Sequence, residues 1–208
     1  MDFYTDRTKK QKIHFWYLIF SAALILSGIA TGLFKNGEFS AESLRLFTYQ
    51  SNILVVLVLV TLAFCDNTKF RYYLVYATTL AITVTGLVYN FVLYPMTENQ
   101  IVFSAWSNFS LHALSMILMI VNYFVFEQKG NFNVRHLLVG LIFPLLYWIV
   151  FISIGGLIDW YPYFFMNPTE TSTVMLIVWL TALMTIFLIL GYLLVLYDRK
   201  YKQKHTKP

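Results

Sequence analysis

Long apolar stretches separated by short polar connectors run along almost the whole chain. Each stretch is close to the roughly 20 residues that an α-helix needs to cross the hydrocarbon core of a bilayer. The connectors hold only about five to fifteen residues, too few for a soluble domain. The pattern predicts one all-α domain over 1–208, a polytopic membrane protein whose six transmembrane helices lie at about 13–34, 45–65, 71–94, 103–126, 136–157 and 170–197.

The composition supports this interpretation. Hydrophobic residues make up 59% of the 208 residues and charged residues only 12%, and the mean hydropathy is +0.65. Soluble domains contain about 25% charged residues, so they are excluded as a class. The net charge of +5 needs no nucleic acid partner to explain it, because it follows from the topology of the chain.

The basic residues predict the direction in which the helices cross the membrane. Short loops rich in Lys and Arg are retained on the cytoplasmic side of the membrane. All of the 15 Lys and Arg residues except Lys35 and Arg45 lie in segments that the six helices would place on one side of the membrane. Both termini are therefore predicted to be cytoplasmic, and the first, third and fifth loops to face outward.

Polar residues inside the predicted helices are the candidates for function, because lipid offers them no hydrogen-bond partner. The sequence has no P-loop, GxSxG, HExxH or paired-cysteine motif that would indicate another active site. In helix 2, Arg45, Thr48 and Asn52 are spaced to lie on one narrow face, and Asn108 and His112 do the same in helix 4.

These polar residues are predicted to meet in the outer half of the bundle. With a rise of about 1.5 Å per residue, Asn52 and His112 lie roughly 10 to 14 Å below the outer boundary. Asn90, at the outer end of a milder stripe in helix 3, lies at a similar depth. The three helices therefore predict a polar pocket that opens toward the outer leaflet above a largely apolar inner half. A GxxxG pair in helix 1, Gly28 and Gly32, indicates a close-packing face.

Thr48 and His112 form a chemically sensible pair. An apolar site favours the neutral form of an imidazole, which can accept a proton from a neighbouring hydroxyl nucleophile. No second histidine, cysteine or buried carboxylate accompanies His112, so neither a metal nor another cofactor is predicted. Asp159, near the outer end of helix 5, either orients the His112 imidazole or is a solvated loop residue.

Other interpretations stay open on these residues alone. Histidine, asparagine and threonine inside a membrane also join helices by hydrogen bonds, and this structural network has as much support as a functional pocket. A non-catalytic lipid-binding protein needs the same pocket walls. A small transporter or proton relay predicts polar groups that continue to the cytoplasmic side, and helices 2, 4 and 5 do not supply them.

Several segments resemble the bacterial branch of a six-helix membrane family related to the androgen-induced proteins of animals. The segments are LFTYQSN (46–52), VTGLVYN (84–90), NFSLH (108–112), FPLLY (143–147) and DWYPYFFMNP (159–168). The resemblance implies a membrane hydrolase of fatty acid esters of hydroxy fatty acids, located here in a bacterial plasma membrane. The threonine of the family's L-x-T-[FY] segment maps onto Thr48, and the second histidine of its N-H-x-x-H segment maps onto His112. Phe109 and Ala113 depart from the animal pattern, which has histidine and commonly threonine at these places.

The resulting hypothesis is a hydrolase that receives a lipid ester sideways from the outer leaflet. His112 takes the proton of Thr48 as its hydroxyl attacks, an asparagine donates to the oxyanion, and Arg45 holds a charged headgroup. Tyr161 and Tyr163 either close over the site or anchor the fifth loop at the interface. The predicted site comprises the catalytic residues Thr48 and His112 and the binding residues Asn52, Asn108, Asn90 and Arg45.

Overall fold

A computed structural model of the chain describes residues 8–35, 37–65, 68–96 and 105–205. Six helical segments in this part are long and apolar enough to cross a bilayer, which confirms the predicted all-α membrane fold. We number them in chain order as α1 (Lys9–Leu33), α2 (Phe47–Phe64), α3 (Phe70–Met96), α4 (Ala105–Phe126), α5 (Val134–Ile158) and α6 (Thr173–Tyr201).

The helices alternate in direction, so the bundle has two distinct ends. One end of the bundle, which we call the terminal face, holds the starts of α1, α3 and α5 and the ends of α2, α4 and α6. The other end, which we call the loop face, holds the opposite ends of these helices. At the loop face, the connection after α1 carries a two-stranded antiparallel ribbon of β1 (Phe34–Lys35) and β2 (Glu38–Phe39).

Local hydrogen bonds move several helix ends away from their predicted positions. A capping box between Thr8 and Gln11 starts α1 earlier than predicted. Asn167 closes a turn by accepting from the backbone N–H of Thr169 at 3.0 Å, so α6 begins at Thr173 instead of near 170.

The start of α2 also differs from the prediction, and this changes the polar stripe of that helix. A separate 3₁₀ helix holds Ala41–Arg45, and extended Leu46 separates it from α2, which begins at Phe47. Thr48 and Asn52 therefore share a helical face as predicted, whereas Arg45 lies outside the helix. The predicted three-residue stripe is wrong at this one position.

Small residues bring α1 and α4 into close contact. Gly28 faces Ser110 and Gly32 faces Ser107, with no space for a Cβ atom at either glycine. This arrangement confirms the predicted close-packing face of α1, where absent side chains let the two backbones approach. α1, α2, α3 and α4 thus form the tightly packed part of the bundle.

Replacing Gly28 with alanine is expected to destabilise the fold by about 1–3 kcal/mol, since the new methyl group would overlap Ser110. The measurement is the free energy of unfolding from SDS titration in mixed micelles. The double variant Gly28→Ala with Ser110→Gly should recover part of the loss, because it removes the overlapping side chain. Equal stability of Gly28→Ala and the unsubstituted protein would contradict this contact.

Candidate functional site

A cavity of about 60 Å³ lies near the loop face, between α2, α3, α5, α6 and the segment that joins α5 to α6. The volume holds a few water molecules. Thr48, Thr85, Tyr147 and Tyr163 are the hydroxyl-bearing residues among those that line it. The remaining wall is aliphatic or aromatic and includes Phe47, Val84, Pro144, Trp148, Phe165 and Phe187.

Thr48 reaches this cavity from the first turn of α2. Its side chain is largely buried, with 7% of the residue exposed. Its backbone carbonyl accepts hydrogen bonds from Ser51 Oγ at 3.1 Å and Asn52 Nδ2 at 2.8 Å. These bonds fix the first turn of α2 and hold the Thr48 side chain at the cavity wall.

Tyr163 covers Thr48 from the segment between α5 and α6. Burial raises the pKa of the Tyr163 phenol, and hydrogen bonding with the side chain and backbone of Thr48 opposes part of that rise. Tyr147, which also interacts with Tyr163, donates from its hydroxyl to the carbonyl oxygen of Arg45 at 2.9 Å. Tyr163 therefore belongs to the cavity, whereas Tyr161 packs its ring against Gly155 near the end of α5.

His112 lies in α4, away from this cavity wall. It belongs to a π-helical segment, Ser110–Leu114, and is 5% exposed. Its ring stacks on Tyr89 with centroids 3.4 Å apart and planes 12° from parallel. Within the described part of the chain, His112 Nδ1 is buried and has no hydrogen-bond partner.

Asn52 and Asn90 join α4 to its neighbours through backbone carbonyls. Asn52 Nδ2 donates to the carbonyl of Leu111 at 3.0 Å, and Asn90 Nδ2 donates to the carbonyl of His112 at 3.4 Å. A π-helical segment disturbs the regular ladder of helical hydrogen bonds, so carbonyls within it can accept from a neighbouring helix. The two asparagines thus connect α2 and α3 to two successive carbonyls of α4, those of Leu111 and His112.

The structure brings some of the predicted site residues together and keeps others apart. Among the described residues, no hydrogen bond joins Thr48 to His112. Asn52 Nδ2 donates to the carbonyl of Thr48 and to that of Leu111, the residue before His112. Asn108 lies beside the Tyr89 hydroxyl, with its Oδ1 buried and unpartnered in the described region. Arg45 is exposed at the loop face with its guanidinium carbon 5.3 Å from the Trp160 ring centroid.

Asp159 is not positioned to orient His112. It is exposed and ends α5 in the left-handed conformation, with φ of 49°. A left-handed residue after the last turn is a common way to terminate a helix. Of the two roles open to Asp159 on sequence grounds, the structure favours the surface residue.

A second polar cluster lies at the terminal face, where the sequence predicted a largely apolar interior. His14, Arg71, Asn122 and Glu127 surround or adjoin a cavity of about 380 Å³ there. Each residue falls close to the end of a predicted helix, where polar residues are ordinary, so spacing alone gave no signal. The expectation of an apolar interior is wrong at this end.

The two polar regions are separated by apolar packing. Fully buried Ile25, Val55 and Ile82 belong to the core cluster shared by α1, α2 and α3. These three residues lie near the middle of their helices, between the two polar regions. The described part of the chain shows no group of three or more His, Cys, Asp or Glu side chains that could hold a metal ion.

No family model, curated protein or solved structure matches this chain.

Proposed function

We propose that the protein is an intramembrane hydrolase of lipid esters, with Thr48 as the nucleophile and His112 as the general base. The observation that carries the proposal is the Thr48 side chain at the wall of an otherwise mostly apolar cavity between membrane helices. The ester carbonyl would meet the hydroxyl in the cavity, and the methylene groups next to it would pack against the aliphatic and aromatic wall. The resemblance of the LFTYQSN and NFSLH segments to a hydrolase family supports the same two residues.

The reaction follows the usual course of acyl transfer through an oxygen nucleophile. Thr48 Oγ1 bonds to the ester carbonyl carbon while its proton passes to His112. The alcohol leaves with that proton, and water then cleaves the acyl-threonine to release the fatty acid. Tyr163 is the best-placed donor to the oxyanion, because its hydroxyl adjoins Thr48, whereas the amide groups of Asn52 and Asn90 are bonded to backbone carbonyls.

His112 must turn toward Thr48 for this chemistry. Its carbonyl accepts from Asn90 and the carbonyl of its neighbour Leu111 accepts from Asn52, so the proposed motion is a rotation of the side chain. Rotation away from Tyr89 breaks the ring stacking. Among the described residues it breaks no hydrogen bond of Nδ1, because that atom has none. Catalytic hydrogen bonds often shorten only when substrate is bound.

The proposal places the loop face in the outer half of a bacterial plasma membrane, with both termini in the cytoplasm. Its support is the distribution of Lys and Arg residues, which are retained on the cytoplasmic side. In this orientation Arg45, exposed near Trp160, would meet a carboxylate or phosphate of a lipid headgroup.

A non-catalytic lipid-binding protein is the second candidate. The observation in its favour is that Thr48 and His112 share no hydrogen bond among the described residues. The same cavity would then hold an acyl chain without cleaving it. Covalent labelling separates the two functions, because only a nucleophile reacts with an electrophilic lipid analogue.

The test uses the full chain in nanodiscs, a fluorogenic long-chain ester and an alkyl fluorophosphonate. We expect saturable ester turnover and time-dependent labelling of one site, located on Thr48 by peptide mass spectrometry and slowed by the ester. Binding of a long-chain alkyl ether, without labelling or ester turnover, would show that the protein binds lipid and does not hydrolyse it. Labelling at another residue would contradict the assignment of Thr48 as the nucleophile.

A further inference from the structure

The cavity at the terminal face has the size and wall of a binding site for a small molecule. Its volume of about 380 Å³ falls within the usual range for ligand pockets of about 300–1,000 Å³. It lies between α1, the end of α2, the start of α3 and the segment that follows α4. The proposed hydrolase does not use it, because it opens at the opposite end of the bundle from Thr48.

The charges in its wall are paired with each other. Arg71 donates from Nε to Glu127 Oε2 at 2.9 Å and from Nη2 to Glu127 Oε1 at 2.7 Å. Lys129 Nζ donates to the carbonyl oxygens of Tyr123 and Glu127, and Lys10 is exposed. Within the described part of the wall, an ion entering this cavity would lose water without gaining an unpaired countercharge, so the wall favours a neutral ligand.

His14 lines the cavity, and one of its two ring nitrogens is left to accept a hydrogen bond. Its Nε2 lies 2.8 Å from Asn122 Oδ1, and Asn122 Nδ2 in turn donates to Glu127 Oε1 at 3.5 Å. Because an amide oxygen only accepts, Nε2 of the neutral ring carries the proton and Nδ1 is an acceptor. In the described region Nδ1 takes part in no hydrogen bond, and the ring is fixed by stacking on Phe126 at 4.5 Å.

The cavity is polar at its rim and apolar at its floor. Gln11 and Gln128 lie at the rim with His14 below them, whereas Leu18 and Leu62 line the deeper part. On α1, the seven steps from Gln11 to Leu18 correspond to a depth of about 10 Å. A ligand that fills this space needs a hydrogen-bonding head and a short apolar portion.

We infer that this cavity binds a neutral, hydroxyl-bearing amphiphile, with a ligand hydroxyl donating to His14 Nδ1 and the apolar portion packed against Leu18 and Leu62. The paired charges of Arg71 and Glu127 exclude ionic headgroups. The glutamine amides at the rim hydrogen-bond further hydroxyl groups.

The experiment compares four probes on the full chain in nanodiscs by calorimetry, with empty nanodiscs subtracted. The probes are 1-O-hexylglycerol, hexanoate, hexyltrimethylammonium and glycerol. We expect saturable binding of hexylglycerol, with each of the other three at least about tenfold weaker. In protein carrying ¹⁵N-labelled histidine, the Nδ1 resonance of His14 should shift on saturation.

Two variants test the site by independent routes. His14→Phe keeps a stacking ring and removes the acceptor, and Ala63→Met fills the cavity without changing a polar group. Both should weaken hexylglycerol binding at least about tenfold, whereas Ala30→Met, on an exposed part of α1, should leave it within about twofold.

Four results would overturn the inference. Hexanoate or hexyltrimethylammonium binding as tightly as hexylglycerol would show that the ligand is an ion. Glycerol binding equally well would assign the cavity to a soluble polyol without an apolar portion. Saturable binding that survives both His14→Phe and Ala63→Met, or no saturable binding at all, would remove the site. Thr48→Val is expected to bind hexylglycerol normally, so failure here is distinguishable from failure of the hydrolase.

Discussion

Thr48→Val is expected to lower kcat/KM for long-chain ester hydrolysis by a factor on the order of 10³ or more. Valine matches threonine in shape and retains the cavity wall, so the variant removes the nucleophilic oxygen with little change in packing. Thr48→Ser keeps an oxygen at the same place and should retain activity within about tenfold. The measurement is initial rate against ester concentration in nanodiscs, with folding checked by size-exclusion chromatography.

His112→Gln should reduce kcat by a factor of about 10² to 10⁴, the usual contribution of a general base. The double variant with Thr48→Val should be no worse than Thr48→Val alone, because the two residues act as one unit. Thr83→Val is the matched control, since Thr83 donates to the carbonyl of Thr79 at 2.7 Å and is absent from the cavity wall. If Thr48→Val and Thr83→Val have equal activity, Thr48 is not the nucleophile.

Arg71→Met is expected to destabilise the protein by about 3–5 kcal/mol. The substitution leaves the Glu127 carboxylate, whose side chain is 3% exposed, without its bidentate partner. A charge buried without a partner is far more costly than the loss of the attraction itself. The measurement is the free energy of unfolding from SDS titration, in the same micelles as the unsubstituted protein.

The control for Arg71→Met is Arg135→Met, which removes an exposed arginine near the same face. It should change stability by less than about 0.5 kcal/mol, as surface substitutions usually do. The double variant Arg71→Met with Glu127→Gln should recover much of the loss, because it removes the unpaired charge. Equal destabilisation by Arg71→Met and Arg135→Met would contradict a structural role for the buried ion pair.

The membrane fold was predictable because it depends on local properties of the chain. A bilayer requires each spanning segment to be long, apolar and helical, and these properties can be read from consecutive residues. The helix ends were less predictable, since they depend on particular hydrogen bonds. Arg45 shows the consequence, because the extended conformation of Leu46 places it outside α2.

The polar layer near the loop face was predictable only in part. Helical periodicity placed Thr48 and Asn52 on one face, and both are buried there. Periodicity gave no information on the partners of these side chains. Asn52 and Asn90 bond to carbonyls in a π-helical segment of α4, and Tyr163 reaches Thr48 from a distant connection.

Consecutive residues were enough to predict a bundle of six membrane helices, a close-packing face on α1 and a shared face of α2 for Thr48 and Asn52. They gave no sign of the cavity between α2, α3, α5 and α6 or of the contact of Arg71 with Glu127 at the terminal face. The difference lies in the range of the interactions. Hydropathy and helical periodicity act between neighbours in the chain, whereas a cavity or a buried ion pair exists only where helices distant in sequence pack together.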